Sequence, residues 1–311
     1  MTDPFVPPLA ELDRWLAERE SRVPGLRPGV AAGVVWASPG AVARTAVSLV
    51  YLHGYSATRG ELHPVPDQIA AALGANLFYA RLTGHGGQGH GSVTVDDWVR
   101  DGLEALAIGR ALGEQTVVMA TSTGGTLAAW LALGPAREFA DATILVSPNL
   151  TVRNRGAELL RWPGKEKLLK LLVGPTTGFP VQNELHAQYW DCSHDSHSLI
   201  PMMELVHRTR RCDFRRWSTA LLAVYDLADP VVNERVTERL LSRVPAGKAT
   251  LHRWTTAGRD HKHVLAGDAL SPGGTERLVV LGVSFLKEVL ARPTSAWDQN
   301  PRRGTEGPAS S

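Results

Sequence analysis

Apolar and polar positions alternate along this chain in blocks whose period switches between that of a helix and that of a buried strand. Leu9, Leu12, Trp15 and Leu16 fall on one helical face, so 9–20 reads as an amphipathic helix. Gly33 to Ala37 and Ala46 to Leu52 read as strands. The second is an almost unbroken apolar run, the pattern of a strand covered on both faces. Asp67 to Leu73 reads as a helix, Ala75 to Ala80 as a strand and Asp97 to Leu112 as a helix. The β-branched run from Thr116 ends in Ala120-Thr-Ser-Thr-Gly124, and the helix formers Leu127-Ala-Ala-Trp130 follow at once. Ala142 to Val146 and Leu221 to Tyr225 read as further strands, and Ala249 to Trp254 as a last one. Asn233 to Ser242 and Thr275 to Leu290 read as helices.

Strands and helices in alternation predict an α/β fold, with a mainly parallel central sheet covered by helices on both faces. Reactive groups in such sheets gather at the carboxyl ends of strands. His53-Gly54-Tyr55, Ser122 and the Asp226–Asp229 stretch all fall at such ends. Pro and Gly punctuation divides the chain into a helix and linker over 1–28, core parts over 29–150 and 217–291, and an insertion over 151–216. A Pro- and Gly-rich tail over 292–311 is expected to be poorly ordered.

Ser122 stands at the apex of a strand–turn–helix passage. Ala120 and Gly124, two residues to either side, are small, as a sharp turn with closely approaching backbones requires. The helix behind the serine opens with free N–H groups carrying roughly half a positive charge, which face any developing oxyanion. The same spacing also occurs as an ordinary tight turn, so the context has to decide. Activating a serine needs a base, and the base needs an orienting acid. Downstream, Val224-Tyr-Asp-Leu-Ala-Asp-Pro-Val-Val232 supplies Asp226 and Asp229, and Gly258-Arg-Asp-His-Lys-His-Val-Leu265 supplies His261 and His263.

At 311 residues the chain can bury a substantial core, and its net charge of +2 gives no field that favours nucleic acid or an acidic membrane. Two cysteines, Cys192 and Cys212, make no disulfide scaffold. No basic start followed by an apolar stretch is visible, and no apolar run reaches the roughly eighteen residues of a membrane span, so a soluble, cytoplasmic protein is expected. Cys192, His194 and His197 are zinc-ligand types, but a second pair at zinc-finger spacing is missing. The surrounding small polar residues also read as a helix N-cap. Arg208, Arg210, Arg211, Arg215 and Arg216 interleave with Leu205, Val206, Phe214 and Trp217, the pattern of an amphipathic helix with a solvated face. His53 and His85 read as residues that hold loop backbones, and Asp101 as an acceptor for loop amides.

Taken together, Leu52-His-Gly-Tyr55, Thr83-Gly-His-Gly86, Asp97-Trp98 with Asp101, Ala120-Thr-Ser-Thr-Gly124, Asp229-Pro-Val-Val232 and His263-Val-Leu265 resemble the motifs of the α/β-hydrolase superfamily. Its small carboxylesterases and monoacylglycerol lipases are the nearest in pattern. The resemblance implies Ser122 as nucleophile, His263 as general base and Asp229 as orienting carboxylate. It also implies an oxyanion hole made of the Tyr55 and Thr123 backbone N–H groups. Ala120 departs from the commoner Gly, and Lys262 from the small residue usual before the histidine, which leaves His261 as the alternative base.

The resemblance further implies that 151–216 forms a mostly helical cap over the strand ends. Its apolar residues include Leu159, Trp162, Leu168, Leu172, Phe179, Trp190, Leu199 and Met202. The expected activity is hydrolysis of medium-chain acyl esters or monoacylglycerols through an acyl-enzyme, with a small-molecule ester as partner and neither cofactor nor metal. The alternatives are a thioesterase or carbon–carbon bond hydrolase on the same fold, and a non-catalytic hydrolase-fold binding protein.

Overall fold

In the computed structural model the described residues are 4–291 apart from 135, 137–139, 162–163 and 259. Trp162 and the tail 292–311 lie outside them, as do the side chains of Leu159, Leu168 and Leu172. The chain runs α1 (Leu9–Glu20), β1 (Gly33–Val35), β2 (Thr45–Leu52), α2 (Val65–Leu73), β3 (Asn76–Tyr79), α3 (Val95–Leu112), β4 (Gly113–Thr121), α4 (Ser122–Leu133) and β5 (Ala142–Val146). It continues through α5 (Lys165–Leu172), β6 (Thr176–Gly178), α6 (Glu184–Tyr189), β7 (Ser193–Asp195) and α7 (Leu199–Arg210). The final elements are β8 (Ala220–Tyr225), α8 (Glu234–Leu241), β9 (Ala249–Arg253) and α9 (Thr275–Leu290).

Seven strands form the main sheet in the order β1-β3-β2-β4-β5-β8-β9, parallel throughout except for β1, which pairs antiparallel with β3 at one edge. The near-continuous apolar runs follow from burial on both faces. Val50, Leu52, Val118 and Ala120 point into a core shared with α3 and α4. The residues between them, Leu49, Tyr51, Val117 and Met119, point into a second core beneath α2 and α9. Each fully buried Leu in these layers contributes about 2 kcal/mol.

The strand order also places the site. From β2 the chain moves to one side to form β3, then crosses back to form β4 on the other side of β2. The carboxyl ends of β2 and β4 therefore open on the crevice where the winding reverses, the usual ligand position in such sheets. Among the described residues no helix is long and apolar enough to cross a membrane.

The insertion differs from its sequence reading in two respects. The reading gives a mostly helical insertion and places no strand in it, whereas β6 and β7 pair as a short antiparallel ribbon, Thr176 opposite Asp195 and Gly178 opposite Ser193. Thr-Thr-Gly and Ser-His-Asp carry no apolar alternation, so nothing local announces them. The helix expected from the arginine cluster forms only over the first part of it, as α7, which stops at Arg210; Phe214–Arg216 is a separate short turn capped by Asp213, with Trp217 after it. Helix α7 buries Ile200, Met202, Met203, Leu205 and Val206, while Arg208 bonds Asp96 and Glu204 and Arg210 bonds Glu158.

Candidate active site

Ser122 is the first residue of α4 and has φ +49°, a left-handed conformation forced by the turn out of β4. Such a turn is possible because Gly124 has no side chain. A Cβ there would stand 2.3 Å from the Leu52 carbonyl oxygen and 2.5 Å from that of His53. The crowding thus comes from the end of the neighbouring strand β2, not from β4 itself. Ser122 keeps 6% of its surface exposed, at the floor of a cavity of about 440 Å³.

Three separate strand ends meet at this serine. His263, on the loop before α9, brings Nε2 to 2.9 Å from Ser122 Oγ, and its Nδ1 lies 2.6 Å from Asp229 Oδ2. With the ring proton on Nδ1, the imidazole donates to the carboxylate and accepts from the serine hydroxyl. Asp229 follows β8 and is fully buried. Its Oδ1 accepts the Val231 and Val232 N–H groups at 2.7 and 3.0 Å, which fixes the carboxylate in place. Such an arrangement can transfer the serine proton to the imidazole as the oxygen attacks an electrophile. Tyr55 and Thr123 both border the cavity beside Ser122. Thr123 lies in the first turn of α4, where N–H groups have no partner within the helix.

The alternative residues have other partners. His261 Nδ1 accepts the Val264 and His263 N–H groups, both at 3.1 Å, so it shapes the loop that carries His263. Asp226 accepts the Ala228 and Thr256 N–H groups at 2.8 and 3.0 Å and so caps the turn after β8. Loop pinning accounts for other motif positions. His53 Nε2 accepts the Leu82 N–H at 3.0 Å, and Asp101 accepts the Thr83 N–H at 2.6 Å. The Trp98 indole donates to the Thr83 carbonyl at 3.0 Å.

Of the residues weighed as metal ligands, His194 Nδ1 meets the Asp191 carbonyl at 2.8 Å and Cys192 Sγ faces the His186 carbonyl. Asp195 caps the turn at His197. No His, Cys, Asp and Glu cluster suited to a metal occurs among the described residues. Behind Tyr55 the rings of His85, His90 and His194 form a continuous edge-packed group, with His90 4.5 Å from His85 and 4.9 Å from His194. Tyr55 packs 5.3 Å from His90 and 5.1 Å from His194. Burial holds the His53 and His90 imidazoles down at about 4 and pushes that of His85 well below its ordinary value, so these three rings are neutral at physiological pH.

The family model described as serine aminopeptidase, S33, matches residues 43–258, well over half of the chain. The chain is an α/β-hydrolase of the S33 family. The match stops short of His261 and His263, so for this S33 hydrolase it bears on neither histidine, and of the two it is His263 that comes within hydrogen-bond distance of Ser122. No curated protein matches the chain in sequence.

Solved structures similar to the hydrolase share its fold at low identity. One, from a study of the metagenome-derived lipolytic enzymes LipS and LipT, has a TM-score of 0.69 at 14% identity, covering 85% of this chain and 99% of that one. A monoglyceride lipase variant from Saccharomyces cerevisiae has a TM-score of 0.62 at 12% identity, with 86% and 96% covered. The monoacylglycerol lipase of Paleococcus ferrophilus has a TM-score of 0.59 at 14% identity, with 82% and 98% covered.

Two buried acids of the hydrolase escape a reading by motif. Glu61 hydrogen-bonds to the loop that carries Tyr55, and Glu234 in the first turn of α8 is fully buried near Asp229. Burial first, and then the charges of Asp229 and Asp226, push the Glu234 carboxyl well above its ordinary value. An acid with a raised folded pKa costs stability that grows as pH climbs from the ordinary carboxylate range toward the raised value. In that window the unfolded chain releases a proton that the folded chain keeps. Glu234→Gln removes this cost, by roughly 1.4 kcal/mol per pH unit across the window. The variant's Tm is therefore expected to gain on the wild type as pH rises from mildly acidic to mildly alkaline. A gap independent of pH in thermal melts contradicts this account.

Proposed function

We propose that this S33 hydrolase cleaves carboxylic esters with an apolar, medium-length acyl group through an acyl-enzyme. The observation that carries the proposal is the continuous line Ser122 Oγ, His263 and Asp229 at the floor of a cavity with an apolar wall. In this reading Ser122 Oγ attacks the ester carbonyl carbon while His263 Nε2 takes its proton. The Tyr55 and Thr123 N–H groups receive the charge on the carbonyl oxygen, a role worth about 10²–10³ in turnover per donor. The carbon–oxygen bond to the leaving alcohol then breaks, and His263 returns the proton to that oxygen. Water attacks the acyl-enzyme in turn, again passing its proton through His263, and the free acid leaves.

The insertion supports the choice of acyl group. Phe179, Trp190, Leu199 and Met202 from it, together with Val231 and Leu270, face the cavity. The Phe179 ring stacks on His186 at 5.2 Å, and His186 packs edge-on to Trp190 at 5.0 Å, forming a stiff wall. In this reading the segment acts as a cap that excludes water from an acyl chain. That the similar structures are of lipolytic enzymes and monoacylglycerol lipases agrees with ester chemistry.

A series of chromogenic acyl esters of rising chain length, run beside matched thioesters, tests the proposal. A serine-directed organophosphate is expected to add its mass to the Ser122 peptide, and ester turnover is expected to peak at medium chains and to survive chelators. Labelling of Ser122 with no turnover of any ester or thioester would shift the assignment to carbon–carbon bond hydrolysis.

A further inference from the structure

Glu61 ends the turn Arg59–Glu61 and folds back under the His53-Gly54-Tyr55 loop, where it is only 2% exposed. Its Oε2 accepts the Gly54 N–H at 2.6 Å and the Tyr51 hydroxyl at 3.1 Å. The Tyr51 hydroxyl also meets Thr121 Oγ1 at 3.2 Å, immediately before Ser122. One carboxyl oxygen thus ties the loop bearing the Tyr55 N–H to the strand end bearing the serine. The other oxygen lies on the reactive side. A Cβ built on Gly54 would stand 2.6 Å from Glu61 Oε1 and 3.1 Å from Ser122 Cβ, and Glu61 borders the cavity.

The surroundings of this carboxyl are poor in positive charge. Both donors to Oε2 are neutral groups, one from the loop itself and one from β2. Arg59, on the same turn, is directed instead at the Tyr79 ring, 4.1 Å from its centroid. Helix α6 contributes the Tyr189 ring over Gly60, and the Gly267 backbone covers the Glu61 carbonyl. His263, with Asp229 behind it, is the titratable group that faces Glu61 from the loop before α9.

We propose that Glu61 is the positioning residue of the oxyanion loop and that it works as the neutral carboxylic acid. Held through Gly54, the loop presents the Tyr55 N–H toward Ser122. An uncharged carboxyl leaves the space beside Ser122 open to a developing oxyanion, which a carboxylate a few ångströms away would oppose. Burial holds this acid up at about 7, against the opposing pull of the Gly54 N–H, His263 and Tyr51. Below that pH Glu61 is neutral and the loop is competent; above it, ionisation puts a negative charge beside the oxyanion site and turnover declines. The inference rests on the Ser122 hydrolase reading.

The test is kcat and KM across the pH range with a chromogenic medium-chain ester, for the wild type, Glu61→Gln and Glu61→Ala. Competent sites are counted in each preparation by organophosphate titration. In the wild type kcat/KM is expected to fall about tenfold on the alkaline side, through an ionisation near 7. Glu61→Gln, which keeps an acceptor for Gly54 but cannot ionise, is expected to lose that decline. Glu61→Ala, which cuts the tether, is expected to lose at least about tenfold in kcat at little change in KM. An alkaline decline that persists in Glu61→Gln overturns the proposal, as does a loss in that variant that is equal at every pH. Should Glu61→Ala fail to fold, the Gln profile decides alone. A wild type whose Ser122 takes no organophosphate sinks the hydrolase reading instead, so the two failures are distinguishable.

Discussion

Ser122→Ala is expected to lower ester turnover by about 10⁶ while the protein stays folded, the loss that follows when the nucleophile of a Ser–His–Asp unit is removed, if the proposed function holds. That factor corresponds to about 8 kcal/mol of transition-state stabilisation. The fold should tolerate the change because the serine hydroxyl bonds His263 and supports no backbone group, and because alanine fits the turn at φ +49° about as well as serine. The main-chain contacts of the elbow, such as the Asn149 N–H donating to the Ser122 carbonyl at 2.9 Å, remain in place. A Tm close to that of the wild type, with only residual turnover, is the expected pair of measurements. Substantial turnover by a well-folded Ser122→Ala protein removes Ser122 from the reaction.

His263→Ala is expected to lose nearly as much, and the double variant with Ser122→Ala little more, because the two groups act as a unit. His261→Ala provides the contrast. Its ring accepts two backbone N–H groups in the loop that carries His263, so its loss leaves those donors unpaired and costs about 1–3 kcal/mol of stability. Its kcat should fall far less than that of His263→Ala. Equal losses in the two variants, with folding intact, would contradict the assignment of the base.

Much of the fold was legible because local chemistry reports it. Continuous apolar runs marked β2, β4, β5 and β8 as strands covered on both faces, and helical spacing gave the bounds of α1 and α9 to the residue. The Asp-Trp-x-x-Asp pattern was legible as a loop-pinning device only in outline. Its Asp97 proves to close a capping box with Thr94, while Trp98 and Asp101 hold Thr83. The β6–β7 ribbon was not legible, since two polar three-residue strands stabilise each other only once the chain between them has turned back. Glu61 was equally silent. An acid eight positions after His53 carries no signal until the turn at Arg59–Glu61 folds it under Gly54.

By itself the sequence determined the alternating strand–helix order, the elbow with small residues around Ser122, and the short set of acids and histidines that could serve it. Those features depend on backbone conformations and burial periods set by neighbouring residues. The motif resemblance already favoured His263 over His261 and Asp229 over Asp226, but only the tertiary structure brings His263 to the serine and Asp229 to His263. It also decided which insertion residues face the cavity beside Ser122. These choices depend on the order of strands in the sheet and on angstrom-scale loop geometry between residues more than thirty positions apart, which no local pattern encodes.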